Sequence, residues 1–493
     1  MLKTIDKVRL NTSNKLNVGE KSRLGQFMTP AIVARFMASL FTQSRFNHCS
    51  LLDAGAGIGS LSTAFLERTT TANHKLNRIE IKAYEVDKNL REQLENVFAC
   101  YEILHPNQNI AVRILEDDFI ESAVNLILSN KKGLFTHTIL NPPYKKISSD
   151  SYHRQMLRQV GVEAVNLYSA FVALALELLE EDGQLVAIIP RSFCNGTYYQ
   201  HFRRLILQKS SIRQIHLFDA RNKAFRDDNV LQENVIIHLE KSKIQGDVIV
   251  STSTDDSFSD LASHSYSFDR IVREDDNERF IYIPTSTEFC LLESSSTFNK
   301  SLSDLFIEVS TGPVVDFRVK EHIRQMPEPG TVPLLYPGHF VDNSIEFPKI
   351  NWKKPNAISF NRSTEKWLYP KGFYAVVRRF SAKEQKRRIH ASVVNPDFSP
   401  ESIAFGFENH LNVFHFGKKG IPEDAAYGLA AYLNSTPVDQ YFRRFNGHTQ
   451  VNAADLRKLK YPDLTVLKNL GVWAKEPGNP SQEMIDEKLI ALI

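Results

Sequence analysis

LLDAGAGIGSLS, residues 51–62, contains the strongest indication of fold in this chain. An apolar, strand-like run enters a turn with glycine at Gly55, Gly57 and Gly59, and a helix-like pattern follows. Glycines allow a tight turn and a close approach of the backbone to a ligand, while the N–H groups at the helix start face that ligand. The spacing G-x-G-x-G after Asp53 differs from the G-x-G-x-x-G of dinucleotide enzymes. A glycine turn with a purely structural role is the alternative.

Strand-like and helix-like runs alternate around this turn, from Gly25 to about Glu240. Helical patterns cover residues 31–41, 88–104 and 166–183, and strand-like runs cover 49–55, 78–87, 111–119, 135–144 and 184–190. Such alternation predicts an α/β fold with a doubly wound, mainly parallel, Rossmann-like sheet.

Composition divides the rest of the chain. Residues 1–24 carry six Lys or Arg against two acids, which predicts either a solvated terminus or a basic arm that contacts phosphates. We expect residues 25–245 to form the catalytic domain. The Ser/Thr/Asp-rich residues 246–300 are typical of a connector, and residues 301–493 have no repeated β–α pattern, which predicts a second, mixed α+β domain.

The overall composition excludes several classes of protein. The chain has 493 residues, 42% of them hydrophobic, and a net charge of only +3, so any affinity for nucleic acid must come from the distribution of charge. The four cysteines (Cys49, Cys100, Cys194 and Cys290) are isolated, which favours thiols in a reducing compartment. Because no signal-like or membrane-spanning apolar run is present, we expect a cytoplasmic protein.

Two acids stand where predicted strands end. Glu85 closes the strand after the glycine turn and could accept both hydroxyls of a ribose. Asp118 closes the next strand and could accept a hydrogen bond from the exocyclic amine of a bound adenine, with Phe119 against that ring. A solvated acid at a strand end is the alternative for each carboxylate.

The tetrapeptide Asn141-Pro142-Pro143-Tyr144 follows the strand-like run at residues 135–140. Two prolines fix the backbone, so the Asn141 side-chain oxygen and the Pro142 carbonyl can accept both protons of an amino group on an aromatic ring. This moves the nitrogen toward sp³ geometry and frees its lone pair to attack a methyl sulfonium. Tyr144 offers a face on which a flipped base can stack. A proline-rich turn without function is the alternative.

This tetrapeptide after the glycine turn resembles the amino-methyltransferases, especially the N6-adenine DNA methyltransferases of bacterial restriction–modification systems. Residues 23–37, RLGQFMTPAIVARFM, resemble the additional N-terminal cofactor motif of that family, with Phe27, Thr29 and Pro30 at matched positions. The motif order is that of the gamma class. The resemblance implies S-adenosylmethionine as cofactor, bound by the N-terminal motif, the Asp53 glycine turn and the strand-end acids. It also implies a flipped adenine of double-stranded DNA, packed on its second side by Phe225.

The C-terminal half resembles the recognition half of PstI/BsuBI-type methyltransferases. Its basic and polar clusters could neutralise phosphates and supply donors to base edges, although an ordinary charged face is the alternative. The candidate DNA-binding residues are Arg378, Arg379, Lys383, Lys386, Arg387 and Arg388 in one cluster, and Arg443, Arg444, His448 and Gln450 in a second.

Other functions remain open from the sequence. The same tetrapeptide serves enzymes that methylate RNA adenine, cytosine N4 or a protein glutamine, and a non-catalytic DNA-binding specificity protein is a further alternative. The chemistry requires neither a nucleophilic cysteine nor a metal. We expect a monomer that is paired functionally with a separate restriction endonuclease.

Overall fold

The computed structural model describes residues 1–15, 28–43, 46–71, 78–218, 233–242, 244–284, 292, 296–341, 344–382, 384–476 and 480–492. The predicted site residues Phe27, Phe225 and Lys383 lie outside these described residues. The chain divides into two compact units, Met1–Thr287 and Glu288–Ile493.

A nine-stranded sheet forms the centre of the first unit in its described part, in the order β3-β2-β1-β4-β5-β7-β6-β8-β9. Strands β1 to β5 are parallel, and β7 is antiparallel to both β5 and β6. The strands are β1 (Cys49–Ala54), β2 (Ile79–Tyr84), β3 (Ile110–Leu115), β4 (Phe135–Leu140), β5 (Leu179–Pro190), β6 (Ser211–Phe218), β7 (Asn234–Glu240), β8 (Val248–Ser253) and β9 (Ala262–Tyr266). The predicted doubly wound, mainly parallel arrangement is thus confirmed for β1 to β5.

Helices cover both faces of this sheet. Neighbouring strand residues point to opposite faces, and accordingly Leu51 and Leu52 belong to two different apolar clusters. The helices are α1 (Leu2–Lys15), α2 (Ala31–Ser39), α3 (Ser60–Thr71), α4 (Lys88–Leu104), α5 (Phe119–Leu128), α6 (Tyr152–Gln159), α7 (Leu167–Leu178), α8 (Gln200–Lys209) and α9 (Phe268–Ile271).

The predicted helix at residues 166–183 is too long. Helix α7 begins after Asn166, whose side chain accepts a hydrogen bond from the Ser169 N–H, and it ends at Leu178. Leu179 is fully buried and already pairs with Phe135 in the sheet. The acidic residues 180–182 then lie in an irregularity of β5 before regular pairing resumes at Gln184.

The predicted connector at residues 246–300 is wrong for its first part, because β8 and β9 extend the sheet. Val248 and Val250 are buried, and β8 pairs in parallel with β6. The hydroxyls of Ser251 and Ser253 lie 3.0 and 3.2 Å from the two ring nitrogens of His216 in β6. Their hydrogen bonds let Ser-rich sequence occupy a buried strand.

The N-terminal basic arm, predicted for residues 1–24, is folded in its described part. Leu2 and Ile5 of α1 are buried, and Ile5 packs in one apolar cluster with Ile58 and Leu90. Arg9 is buried as well and forms an ion pair with Asp6 at 2.7 Å. Helix α1 is therefore part of the first unit rather than a free phosphate-contacting arm.

The second unit combines short strands with helices, as expected for a mixed α+β domain. One sheet has the order β10-β20-β17-β18, another β11-β15-β12-β19-β16, and β13 pairs with β14. The strands are β10 (Glu308–Thr311), β11 (Ile323–Arg324), β12 (Thr331–Leu335), β13 (Phe340–Val341), β14 (Ser344–Ile345), β15 (Ala357–Ser359), β16 (Leu368–Pro370), β17 (Tyr374–Arg378), β18 (Ala391–Val394), β19 (Ala404–Phe407) and β20 (Leu411–His415).

The helices of this unit follow the strands along the chain. They are α10 (Glu423–Leu433), α11 (Thr436–Phe445), α12 (Ala453–Arg457), α13 (Leu464–Lys475) and α14 (Gln482–Ile490). Throughout the described ranges of both units, every helix is too short or too polar to span a lipid bilayer.

Candidate active site

A cavity of about 320 Å³ lies at the carboxyl ends of β1 to β4. Parallel strands bring the residues that follow them to one edge of the sheet, which is where α/β proteins bind ligands. The wall includes Gly55 and Gly57 after β1, Glu85 after β2, Asp117 and Asp118 after β3, and Asn141 after β4. The structure thus brings together residues that the sequence placed in four separate motifs.

The glycine turn forms the floor of this cavity through its backbone. Gly55, Gly57 and Gly59 have φ angles of +77°, +57° and +84°, which L residues with a side chain rarely adopt. At Gly59 an added Cβ would lie 2.7 Å from Leu94 Cδ1 of α4, so this glycine permits close helix packing. At Gly57 the space around a Cβ is open.

Glu85 is held rigidly beside the turn. Its Oε2 accepts a hydrogen bond from the Gly57 N–H at 2.8 Å, and its Oε1 accepts one from the Asp87 N–H at 2.9 Å. Burial raises the pKa of Glu85, and these two N–H donors oppose the rise. Each carboxylate oxygen keeps a further lone pair, so Glu85 can still accept hydrogen bonds from the hydroxyl groups of a ligand.

Asp118 lies at the start of α5 and caps it. Its Oδ1 accepts hydrogen bonds from the N–H groups of Ile120 at 2.8 Å and Glu121 at 3.1 Å, while its Oδ2 lies 3.1 Å from His153 Nε2. Burial favours a higher pKa of Asp118, but these hydrogen bonds outweigh it and hold the pKa below its ordinary value. Asp118 therefore lines the cavity as a carboxylate.

Aromatic side chains form the apolar wall next to Asp118. The Phe119 ring centroid is 5.0 Å from that of Phe171 and 5.2 Å from that of Tyr84, and all three residues line the cavity. This wall can accommodate the flat face of a ring.

Asn141 projects from the end of β4 into the cavity wall. Its Nδ2 donates a hydrogen bond to Thr29 Oγ1 at 3.0 Å. The Tyr144 hydroxyl lies 3.2 Å from Asn141 Oδ1 and 3.2 Å from the Ile188 carbonyl oxygen, and burial raises the pKa of Tyr144 well above its usual value. The amide is therefore oriented with its nitrogen toward Thr29. Pro143 also lines the cavity, and Pro142 is buried.

Asp53 does not belong to the described lining, although the sequence suggested cofactor contact. Its side chain is fully buried and accepts a hydrogen bond from Ser62 Oγ at 2.6 Å. Burial raises the pKa of Asp53 to about 7, against the lowering effect of Ser62. In the described wall, Pro30, Gly59, Pro142 and Tyr144 are likewise absent; Pro30 instead starts α2.

Several lining residues were missed by the sequence reasoning. They are Met28, Lys145, His153, Leu167 and Phe171, among others. Met28 lies within the N-terminal motif at residues 23–37, and Lys145 directly follows the tetrapeptide, so proximity to a motif is the signal that could have found them. His153 and Phe171 stand on α6 and α7, and only the fold brings these helices to the cavity.

The two basic clusters of the second unit lie side by side. The N–H of Ser381 donates to the Thr449 carbonyl at 3.1 Å, and that of Val451 donates to the Arg379 carbonyl at 2.7 Å. Arg379 Nη2 also reaches Gln450 Oε1 at 3.5 Å. The structure therefore joins two segments that are about 70 residues apart.

Arg388, one of the DNA-binding candidates, is buried in this structure. It is only 1% exposed, and its guanidinium donates to Ser381 Oγ at 3.1 Å, to Asn446 Oδ1 at 2.9 Å and to the His448 carbonyl. A guanidinium that is buried and held by three hydrogen bonds stabilises the fold.

Other arginines of the clusters are partly engaged. Arg378 donates to the Phe340 carbonyl, Arg387 donates to the Asn434 carbonyl, and Arg443 pairs with Asp439 at 2.5 Å. Lys386 is exposed. Arg444 and His448 are partly exposed.

The chain is 52% identical to the type II methyltransferase M.BsuBI of Bacillus subtilis, over 100% of this chain and 98% of that protein. It is 41% identical to the type II methyltransferase M.PstI of Providencia stuartii, over 98% of this chain and 95% of that protein. Residues 28–225 match the family described as Eco57I restriction-modification methylase.

The chain therefore belongs to the DNA methyltransferases of restriction–modification systems, and the resemblance found in the sequence is confirmed. Within that class it is of the PstI/BsuBI kind. The solved structure of a DrdV–DNA complex shares the fold with a TM-score of 0.55 at 13% identity, covering 96% of this chain and 59% of that one. Membership of a methyltransferase family implies S-adenosylmethionine as the methyl donor.

Proposed function

We propose that this enzyme methylates the N6 amino group of an adenine flipped out of double-stranded DNA. The observation that carries the proposal is the position of Asn141 in the wall of the cavity, with its amide nitrogen engaged by Thr29. That orientation makes Oδ1, which accepts from the Tyr144 hydroxyl at 3.2 Å, the acceptor end of the amide for an incoming amino group. A duplex adenine must leave the base stack to reach such a wall.

The cavity residues fit S-adenosylmethionine. Glu85 offers acceptors for ribose hydroxyls, Asp118 offers one for an exocyclic amine, and Phe119 lies beside them as an aromatic wall. Gly57 leaves open space next to the backbone. The acids at the strand ends also favour a ligand that carries positive charge. When bound, the cofactor supplies a methyl group made electrophilic by its sulfonium.

The residues of the tetrapeptide prepare the amine. Asn141 Oδ1 and the Pro142 carbonyl accept the two N6 protons, and the fixed proline backbone holds both acceptors in place. Their pull moves the nitrogen toward sp³ geometry and directs its lone pair at the methyl carbon. Nitrogen would form the new bond to the methyl carbon as the bond from that carbon to the cofactor's sulfur breaks, and one N6 proton would then pass to solvent. Tyr144 lies outside the described wall but directly contacts Asn141, and in this proposal its ring stacks on the base once the base is inserted beside Asn141.

The second unit supplies target recognition in this proposal. Its adjoining basic segments carry the exposed Lys386 and the partly exposed Arg379, Arg444 and Gln450, which suit contacts to phosphates and base edges. One copy would then hold both catalytic and recognition functions, so we also propose that the enzyme acts as a monomer. A separate endonuclease would cleave the unmethylated site.

Nucleoside analysis tests the reaction. Bacterial DNA without adenine methylation is incubated with the enzyme and methyl-labelled S-adenosylmethionine, digested to nucleosides and separated by mass. Label in N6-methyldeoxyadenosine is the expected result. Label in N4-methyldeoxycytidine would overturn the choice of base while keeping the catalytic fold. Parallel reactions with RNA and protein should remain unlabelled.

A further inference from the structure

His153 lies in the wall of the cavity, outside every motif that the sequence suggested for the cofactor. It stands on α6, and its Nε2 is 3.1 Å from Oδ2 of Asp118, which lies 35 residues away in sequence. His153 and Asp118 both line the cavity, and their side chains are 33% and 36% exposed. The pair is therefore accessible to a ligand.

The hydrogen bonds that Asp118 already accepts determine which of its lone pairs remain for that ligand. Oδ1 already accepts from the N–H groups of Ile120 and Glu121, which uses both of its lone pairs. Oδ2 accepts from His153, which leaves one lone pair. A single acceptor position thus remains on a carboxylate whose rotation is fixed from two sides.

Helix α6 is anchored firmly enough to hold His153. Ser151 caps its first turn by accepting from the Arg154 N–H, and Leu157 is fully buried. Arg154 also forms an ion pair with Glu163 at 2.8 Å and donates to the Ala164 carbonyl. The hydrogen bond to Asp118 raises the pKa of His153, as expected for a donor that the carboxylate favours.

We propose that His153 is a positioning residue for the cofactor's adenine: it fixes the Asp118 carboxylate so that one Oδ2 lone pair accepts from the exocyclic amine. The inference rests on the proposed binding of S-adenosylmethionine in this cavity. It assigns His153 a part in recognising an amino-substituted purine, because the remaining site on Asp118 is an acceptor and rejects a ring that presents a carbonyl there.

Two ligands separate this role from a general effect on the wall. S-adenosylhomocysteine carries the exocyclic amine, whereas S-inosylhomocysteine carries a carbonyl oxygen at the same ring position. Their affinities are measured by calorimetry for the full chain, for H153A and for H153Q, whose amide can still donate to Asp118. The matched control is H201A, which removes an exposed histidine from α8.

We expect H153A to bind S-adenosylhomocysteine five- to tenfold more weakly while its affinity for S-inosylhomocysteine changes less than twofold. H153Q should recover most of the loss, and H201A should match the wild type. Equal weakening of both ligands in H153A, or unchanged binding of both, would overturn the role of His153. Failure of the wild-type enzyme to bind S-adenosylhomocysteine would instead overturn the cofactor cavity itself, and this inference with it.

Discussion

The side-chain nitrogen of Asn141 donates a hydrogen bond to the hydroxyl oxygen of Thr29 at 3.0 Å, across 112 residues of sequence. The contact joins the segment before α2 to the end of β4. Together with the Tyr144 hydroxyl, which donates to Asn141 Oδ1 at 3.2 Å, it decides which end of the Asn141 amide is the acceptor. An amide free to rotate would present its NH₂ group to the substrate amine in part of the population, and two donors cannot form a hydrogen bond.

Replacement of Thr29 by valine should therefore slow methyl transfer. Valine keeps the shape of threonine but lacks the acceptor, so the preferred amide orientation loses about 1 kcal/mol. We expect roughly a fivefold lower single-turnover rate at saturating cofactor. Thr29→Ser keeps the hydroxyl and should stay close to the wild-type rate. Equal rates for Thr29→Val and wild type would show that the contact has no part in catalysis.

Asp53 predicts a pH dependence of stability. Its pKa in the folded protein is raised to about 7, so the folded state holds this proton more tightly than the unfolded state, where the pKa is near 3.8. Between these values the free energy of unfolding falls as pH rises, by roughly 1.4 kcal/mol per pH unit. Because asparagine does not ionise, the free energy of unfolding of Asp53→Asn should not show this fall with pH.

The measurement is urea unfolding of the ligand-free protein at several values from pH 5 to pH 8. The stability of Asp53→Asn relative to wild type should increase with pH and level off above about pH 7. A difference that does not vary with pH would mean that Asp53 titrates at its ordinary value.

Ile5 of helix α1 is not part of the described cavity wall, but we expect it to support that wall. Ile5 is 2% exposed and packs with Ile58 and Leu90, which both line the cavity. Truncation to alanine removes buried contacts worth about 2–5 kcal/mol and loosens that wall. We expect Ile5→Ala to lower the unfolding temperature and to weaken S-adenosylhomocysteine binding several-fold. Leu10→Ala, on the exposed side of the same helix, should change neither quantity.

Substitutions of Arg388 and Lys386 should affect different properties, the first stability and the second DNA affinity. Arg388→Met leaves the Asn446 and His448 oxygens without their donor, so we expect a loss of about 2–4 kcal/mol in stability. Lys386→Ala should leave stability unchanged and weaken DNA binding. It should also reduce the slope of log affinity against log salt by about 1 if the side chain contacts a phosphate. A reversed pattern would restore Arg388 as a DNA-contacting residue.

Much of the first unit could be predicted from sequence because its central strands β1 and β4 are buried at every position and its parallel strands end in distinctive residues. The sequence could predict one common site for the glycine turn, Glu85, Asp118 and Asn141, because the carboxyl ends of parallel strands lie at one edge of the sheet. Strand β8 could not be recognised, because its buried serines depend on His216 in another strand.

The burial and contacts of individual side chains could not be predicted from the sequence either. Counting charges placed Arg388 on a DNA-binding face, whereas its partner Asn446 lies 58 residues away and buries it. His153 belongs to no motif, and its contact with Asp118 exists only because α6 folds against the start of α5. Asp53 fits the motif but stands beneath the turn rather than in the wall.

The most direct test of the central claim is the rate of N6-methyldeoxyadenosine formation by Asn141→Ala, with S-adenosylhomocysteine affinity measured on the same preparation. Loss of the Asn141 acceptor should lower the rate by roughly two to three orders of magnitude. Cofactor affinity should remain within a few-fold of wild type, since Glu85 and Asp118 are untouched. Wild-type rates in Asn141→Ala would contradict the account, because the amine would then be activated without the residue on which the proposal depends.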